Sequence, residues 1–152
     1  MTTLYLIVKT LHILFAIVAV GFNVSYGVWL ALAQRSPEHQ AFALRGVKFM
    51  DDYIANPCYF LLLISGVVMA FVIGPWGWQR WIISALVLWA IAIVVAYAGY
   101  TPTLSRQIRV LAAEGSQSAA YRRLENRGRI LGAFVGVVVL AILVLMVFKP
   151  TI

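Results

Sequence analysis

Negative charge is almost missing from this chain. Glu38, Asp51, Asp52, Glu114 and Glu125 are its five acidic residues, and charged residues of both signs make up 11% of it. A soluble domain carries roughly 25%. With 63% hydrophobic residues, too little polar surface remains to cover a water-soluble fold of this size. Cysteine is scarcer still. Cys58 stands alone, which excludes an internal disulfide and any CxxC metal or redox motif, and it reads as a small apolar residue near a helix end. The two histidines, His12 and His39, supply no set of three or four zinc ligands. Walker, Rossmann, HExxH and GxSxG signatures are missing too, as are low-complexity segments and internal repeats.

What the chain does have is four long apolar runs, near residues 4–33, 53–73, 81–100 and 130–148. A hydrocarbon core takes about 20 residues of helix to cross. The runs are continuously apolar and do not alternate, so helices are expected and strands are not. The fold class that follows is all-α, a polytopic transmembrane four-helix bundle forming one domain over residues 1–152. Ala31-Leu32-Ala33-Gln34 is similar to a signal-peptide cleavage site. No basic stretch precedes that run, however, and it is about twice the usual 7–15 residues, so the span is expected to stay in the mature protein.

The net charge of +7 does not point to nucleic acid, because the basic residues gather in two loops. The first and third loops hold Arg35, Arg45, Lys48, Arg106, Arg109, Arg122, Arg123, Arg127 and Arg129, against Lys9, Arg80 and Lys149 on the other side. This asymmetry predicts both loops in the cytoplasm and both termini outside, across a bacterial inner membrane. Trp76, Trp78 and Trp81 then form an outer aromatic belt around the Gly74-Pro75-Trp76-Gly77 turn. In the third loop, Pro102 to Glu114 can extend the third helix, Gly115-Ser116 breaks it, and residues 118–129 read as an Arg-rich helix entering the fourth span. These charges read as a solvated face against lipid headgroups.

His12 is the anomaly, an imidazole in a membrane span with Lys9 one turn before it. Ionisable side chains are costly in hydrocarbon and face a bundle interior. At 100° per residue, Tyr5, His12, Ala16, Ala19, Asn23 and Tyr26 fall within about 40° of one direction, on a stripe about 80° wide, with Lys9 and Gly27 at its edge. Two readings fit: His12 and Asn23 hydrogen-bond to neighbouring helices, or His12 ligates a metal centre, with haem iron the best candidate. No second ligand is obvious: Met69 can approach the same level, although a methionine in an apolar span is mostly packing. Arg80 can pair with an anionic group such as a haem propionate, or simply anchor the interface. Asp51, Asp52, Asn56 and Pro57 read as the start of the second helix, with acidic groups at its positive end. His39 reads as solvent-exposed. Gly128, Gly132 and Gly136 put a flat groove on the fourth helix that permits close helix contact, within one bundle or between chains.

The run from Leu4 to His12 resembles the opening of the HemJ-type protoporphyrinogen IX oxidases, in which a K-x-x-H histidine on the first helix binds haem b. Met50 to Pro57, Gly77-Trp78 and Val147-Phe148-Lys149-Pro150 extend the resemblance over most of the chain. The chain is more closely similar to a bacterial four-span family described only as a predicted integral membrane protein. The HemJ-type enzymes carry a functional lysine early in the third span. Here that region reads Gly77-Trp78-Gln79-Arg80-Trp81-Ile82-Ile83-Ser84, and no lysine follows through Tyr100. Asn126-Arg127-Gly128 likewise replaces the proline that opens their fourth helix. The chain thus keeps the haem-binding part of the pattern and departs from the oxidase part.

The resulting expectation is a haem b protein with His12 as ligand and Lys9 and Arg80 near the propionates, in electron transfer or haem handling. A homodimer or a membrane redox complex would be its setting. A cofactor-free scaffold is the alternative, and protoporphyrinogen oxidase is the enzymatic one.

Overall fold

A computed structural model describes residues 3–150. Four helices in it are long and apolar enough to cross a membrane: α1 (Thr3–Ala33), α2 (Pro37–Val72), α3 (Arg80–Glu114) and α4 (Ala119–Phe148). No strand occurs among the described residues. The short connections make neighbours antiparallel. One end of the bundle therefore carries the start of α1, the α2–α3 turn and the end of α4. The other carries the two basic connections, and these are called below the terminal end and the basic end.

Local chemistry sets the boundaries. Gly115, at φ +79°, stops α3, and its N–H bonds back to the Leu111 carbonyl. Three residues later Ser118 caps α4, its Oγ accepting from the Tyr121 N–H at 3.1 Å. The break after Glu114 and the Arg-rich helix into the fourth span fall where the sequence predicts them. The second helix does not start where expected. It begins at Pro37, so residues 40–50, read as loop, are helical, and Asp51, Asp52 and Pro57 lie inside the helix and do not initiate it.

That interior proline has a visible consequence. Pro57 has no N–H to donate and its ring crowds the carbonyl four residues back, so an unbroken α-helical ladder cannot pass through it. The chain answers with a π-turn over Asp51–Ala55, in which the Asn56 N–H reaches the Asp51 carbonyl. The same arrangement recurs in α3. A π-turn over Ala96–Tyr100 ends with the Thr101 N–H on the Ala96 carbonyl, and Pro102 follows.

The helices bury alanines, aromatic rings and a few branched aliphatic residues between them, and turn most of the branched aliphatic ones outward. Ala19, Val47 and Ala55 are fully enclosed, whereas Ile17 and Val24 are each about two-thirds exposed. A surface of that kind suits hydrocarbon. The main core lies toward the basic end, around Tyr26, Leu44, Val47, Ala55, Leu104 and Tyr121. A smaller one, around Ala70, Trp81 and Ile82, closes the terminal end.

Candidate functional site

The polar stripe of α1 is its buried face. Tyr5, Ala19 and Tyr26 are enclosed and His12, Ala16 and Asn23 are half-buried, while Lys9 at the edge is exposed. Tyr5, His12 and Asn23 each meet a partner on a neighbouring element, whereas the Tyr26 hydroxyl has no hydrogen-bond partner among the described residues. The Tyr5 hydroxyl accepts from Trp76 Nε1 at 3.0 Å, and Asn23 Nδ2 donates to the Tyr59 hydroxyl and, at 3.3 Å, to the Ala19 carbonyl.

His12 meets Ser65 of α2, with Nδ1 2.9 Å from Oγ. The serine hydroxyl has a single proton, and it already points along its own helix, to the Leu61 carbonyl at 2.7 Å and the Leu62 carbonyl at 3.1 Å. Oγ is therefore the acceptor for the imidazole. With Oγ as acceptor, the matching tautomer is the one with its proton on Nδ1 and a lone pair on Nε2. Residue 66 lets the ring come this close. A Cβ on Gly66 would stand 3.1 Å from His12 Cε1, tighter than ordinary van der Waals contact. Ser65-Gly66, a small polar pair inside an apolar span, is the signal that a reading centred on α1 missed.

The other expected site residues are not gathered around the imidazole. Arg80 is the first residue of α3 and is exposed, as is Lys9. The bond from Trp76 to Tyr5 and the edge-on packing of Trp76 against Trp81, with centroids 5.7 Å apart, bring both cations to the terminal end. The ion pairs among the described residues are His39–Glu38 and Lys48–Asp52, so neither Lys9 nor Arg80 holds a carboxylate. Met69 lies one turn beyond Ser65 on α2. His39 is exposed beside Glu38, 3.4 Å away.

Farther toward the basic end a second polar layer crosses the bundle. Asp51, buried in the π-turn of α2, accepts from Thr101 Oγ1 of α3 at 3.2 Å. Tyr26 and Tyr100 stand close by. The fourth helix meets this layer with its glycines. A Cβ on Gly132 would touch the Tyr100 ring at 3.5 Å, one on Gly128 would approach Thr103 and Gln107, and Gly136 has open space before it. The close contact expected of this glycine face is made, but with side chains of α3 at two positions only.

The family model described as "Predicted integral membrane protein (DUF2269)" matches residues 6–150. The chain belongs to this family. It is accordingly an integral, multi-pass membrane protein that sits in a lipid bilayer. Comparison with curated proteins and with solved structures finds no significant match. Among the described residues no three His, Cys, Asp or Glu side chains converge as a metal-binding group.

Proposed function

We propose that this family member is a b-type haem protein of the bacterial cytoplasmic membrane, acting in electron transfer or haem handling, in which His12 would hold the haem iron through Nε2. One observation carries the reading: Nδ1 is held by a serine hydroxyl whose own proton is committed to its helix. Ligating histidines characteristically donate their other ring N–H in this way, which fixes the tautomer and the ring's orientation. The K-x-x-H resemblance to the HemJ-type proteins supports the same assignment. Lys9 and Arg80, cationic and without carboxylate partners at the same end, suit propionate groups. When bound, the haem would supply a one-electron couple. The chain's own contribution is to hold a neutral imidazole in a low-dielectric interior and to put positive charge toward the membrane surface.

Nine Lys and Arg residues in the basic connections against three at the terminal end favour a cytoplasmic basic end and external termini. Protein purified in mild detergent from haem-replete cells tests the haem reading. A Soret band is expected, lost in His12→Ala and kept but shifted in midpoint potential in Ser65→Ala. Wild-type protein that folds and is colourless overturns it.

A further inference from the structure

Between α1 and α4, in the half of the bundle toward the basic end, lies a cavity of about 470 Å³. It is elongated along the helices. Its lining runs from Glu125 to Leu140 on α4, and from Gln34 back to Val20 along α1. At about 1.5 Å per residue, that makes a slot roughly 20 Å long. The apolar run of α4 begins at Ile130 and that of α1 ends at Ala33. The slot therefore starts at headgroup level and reaches about the middle of a hydrocarbon core about 30 Å thick. Its deeper part is apolar and opens sideways to lipid, with Val24 and Leu140 on the rim 66% and 55% exposed. Gly27 and Gly136 keep it open, since both line it and neither has an atom within 4 Å of where a Cβ would stand. Another helix, about 10–12 Å across with its side chains, is too wide for it. A single acyl chain of the surrounding bilayer is not.

The headgroup end carries charge of both signs. Glu125 and Arg129 both line the slot, one turn apart on α4. A glutamate four residues before an arginine is placed to form an intrahelical ion pair. Yet the ion pairs among the described residues are His39–Glu38 and Lys48–Asp52. Glu125 Oε1 instead accepts from Gln34 Nε2 at 3.0 Å, and Arg129 Nη2 donates to Asn126 Oδ1 at 2.9 Å. The Gln34 bond joins the two walls of the slot, which places the carboxylate at its mouth. Both partners are neutral amides. An anionic and a cationic group thus stand one turn apart at the mouth, each with its charge unmatched.

We propose that this slot binds a phospholipid with a primary-ammonium headgroup, of the phosphatidylethanolamine class. One acyl chain fills the apolar part past Gly27 and Gly136. The phosphate accepts from Arg129, and the ammonium, a short arm away from it, donates to Glu125. This pairing discriminates among lipids. Phosphatidylglycerol has the phosphate but brings a net negative charge and only hydroxyls to Glu125. Phosphatidylcholine keeps the positive charge, but its quaternary nitrogen has no proton to donate. The other cations of the basic end attract anionic headgroups in general, so a preference for the zwitterionic ethanolamine lipid marks this site. The slot is independent of His12.

The test is native mass spectrometry of the full chain in detergent, titrated with palmitoyl-oleoyl phosphatidylethanolamine, phosphatidylglycerol or phosphatidylcholine. The ethanolamine lipid is expected to bind about threefold to fivefold more tightly than the other two, the effect of one ion pair at an exposed rim. Glu125→Gln keeps an acceptor for Gln34 and should erase that preference. Arg129→Gln should weaken binding of all three lipids. Gly136→Leu should abolish it with the unfolding temperature kept, and Gly27→Leu gives the same test should the first variant fail to fold. His12→Ala should bind lipid as the wild type does, so this inference and the haem reading fail separately. Equal affinities for the three lipids, or tighter binding of phosphatidylglycerol, would mean a general response to the basic end and would overturn the proposal. Unchanged binding in both glycine variants would do so too, as would a dimer that Gly136→Leu dissociates.

Discussion

The Thr101 hydroxyl donates to the Asp51 carboxylate at 3.2 Å, and this bond joins two of the three π-turns among the described residues, those over Asp51–Ala55 and Ala96–Tyr100. The two sites are alike in sequence logic. Each of these two π-turns is followed by one residue and then a proline, Asn56-Pro57 in α2 and Thr101-Pro102 in α3. An irregular turn in each helix frees backbone groups and rotates the following side chains relative to a regular ladder. The outcome is a buried carboxylate with a hydroxyl partner where two hydrophobic helices would otherwise meet.

Thr101→Val should therefore destabilise the bundle by about 1–3 kcal/mol, since it removes one of the two side-chain hydrogen bonds to the buried Asp51 carboxylate, the other coming from Asn56, and keeps the side chain's shape. Asp51→Asn retains an acceptor for the threonine and removes the buried charge, so its cost should be smaller. Thermal unfolding in one detergent compares the two. A Thr101→Val protein as stable as wild type would show that water or another group already satisfies Asp51.

The α2–α3 turn depends on Gly74 for lack of space. A Cβ there would stand 2.0 Å from the Met69 carbonyl oxygen and 3.1 Å from Tyr5 Cε2. The first obstacle is backbone and cannot swing aside. Gly74→Ala should cost about 3 kcal/mol, at the upper end of ordinary overpacking. It should also loosen the Trp76–Tyr5 bond, seen as a red shift of tryptophan emission. Gly77→Ala is strained differently. Its φ of +54° lies in the left-handed region with open space around it, so about 1–2 kcal/mol is expected.

Lys149 closes the terminal end over an aromatic pair. Its Nζ lies 4.1 Å from the Trp76 ring centre and 5.8 Å from that of Trp81, and its backbone holds a left-handed φ of 44°. Two effects oppose each other here. Lys149→Gly relieves the backbone but loses the cation–π contact, whereas Lys149→Ala loses the contact and keeps the strain. The alanine variant should be the less stable by about 1 kcal/mol. Equal unfolding temperatures for the two would mean that the backbone conformation carries no cost.

Most of the architecture was legible in composition and periodicity because the bilayer leaves few options. Continuous apolar runs must become helices, and the one narrow polar face of α1 must turn inward. Gly115 had to end α3, because a helix stops readily where only glycine takes the left-handed conformation. The start of α2 was not legible. Charged residues at 45, 48, 51 and 52 read as a loop because charge marks solvent, yet Lys48 and Asp52 lie four apart on one helix and pair.

Sequence alone thus determined that four helices cross the membrane, which face of α1 is buried, and that His12 lies on that face. These are one-dimensional properties, set by the period of the helix and the cost of polar groups in hydrocarbon. Only the tertiary structure decided what the face meets. Ser65 met His12 from 53 residues away, and Thr101 found Asp51 across two irregular turns. Gln34 and Glu125, 91 positions apart in sequence, came to join the two walls of one cavity. Such pairings depend on how helices rotate and approach one another, and the spacing of residues within a single helix carries no record of that.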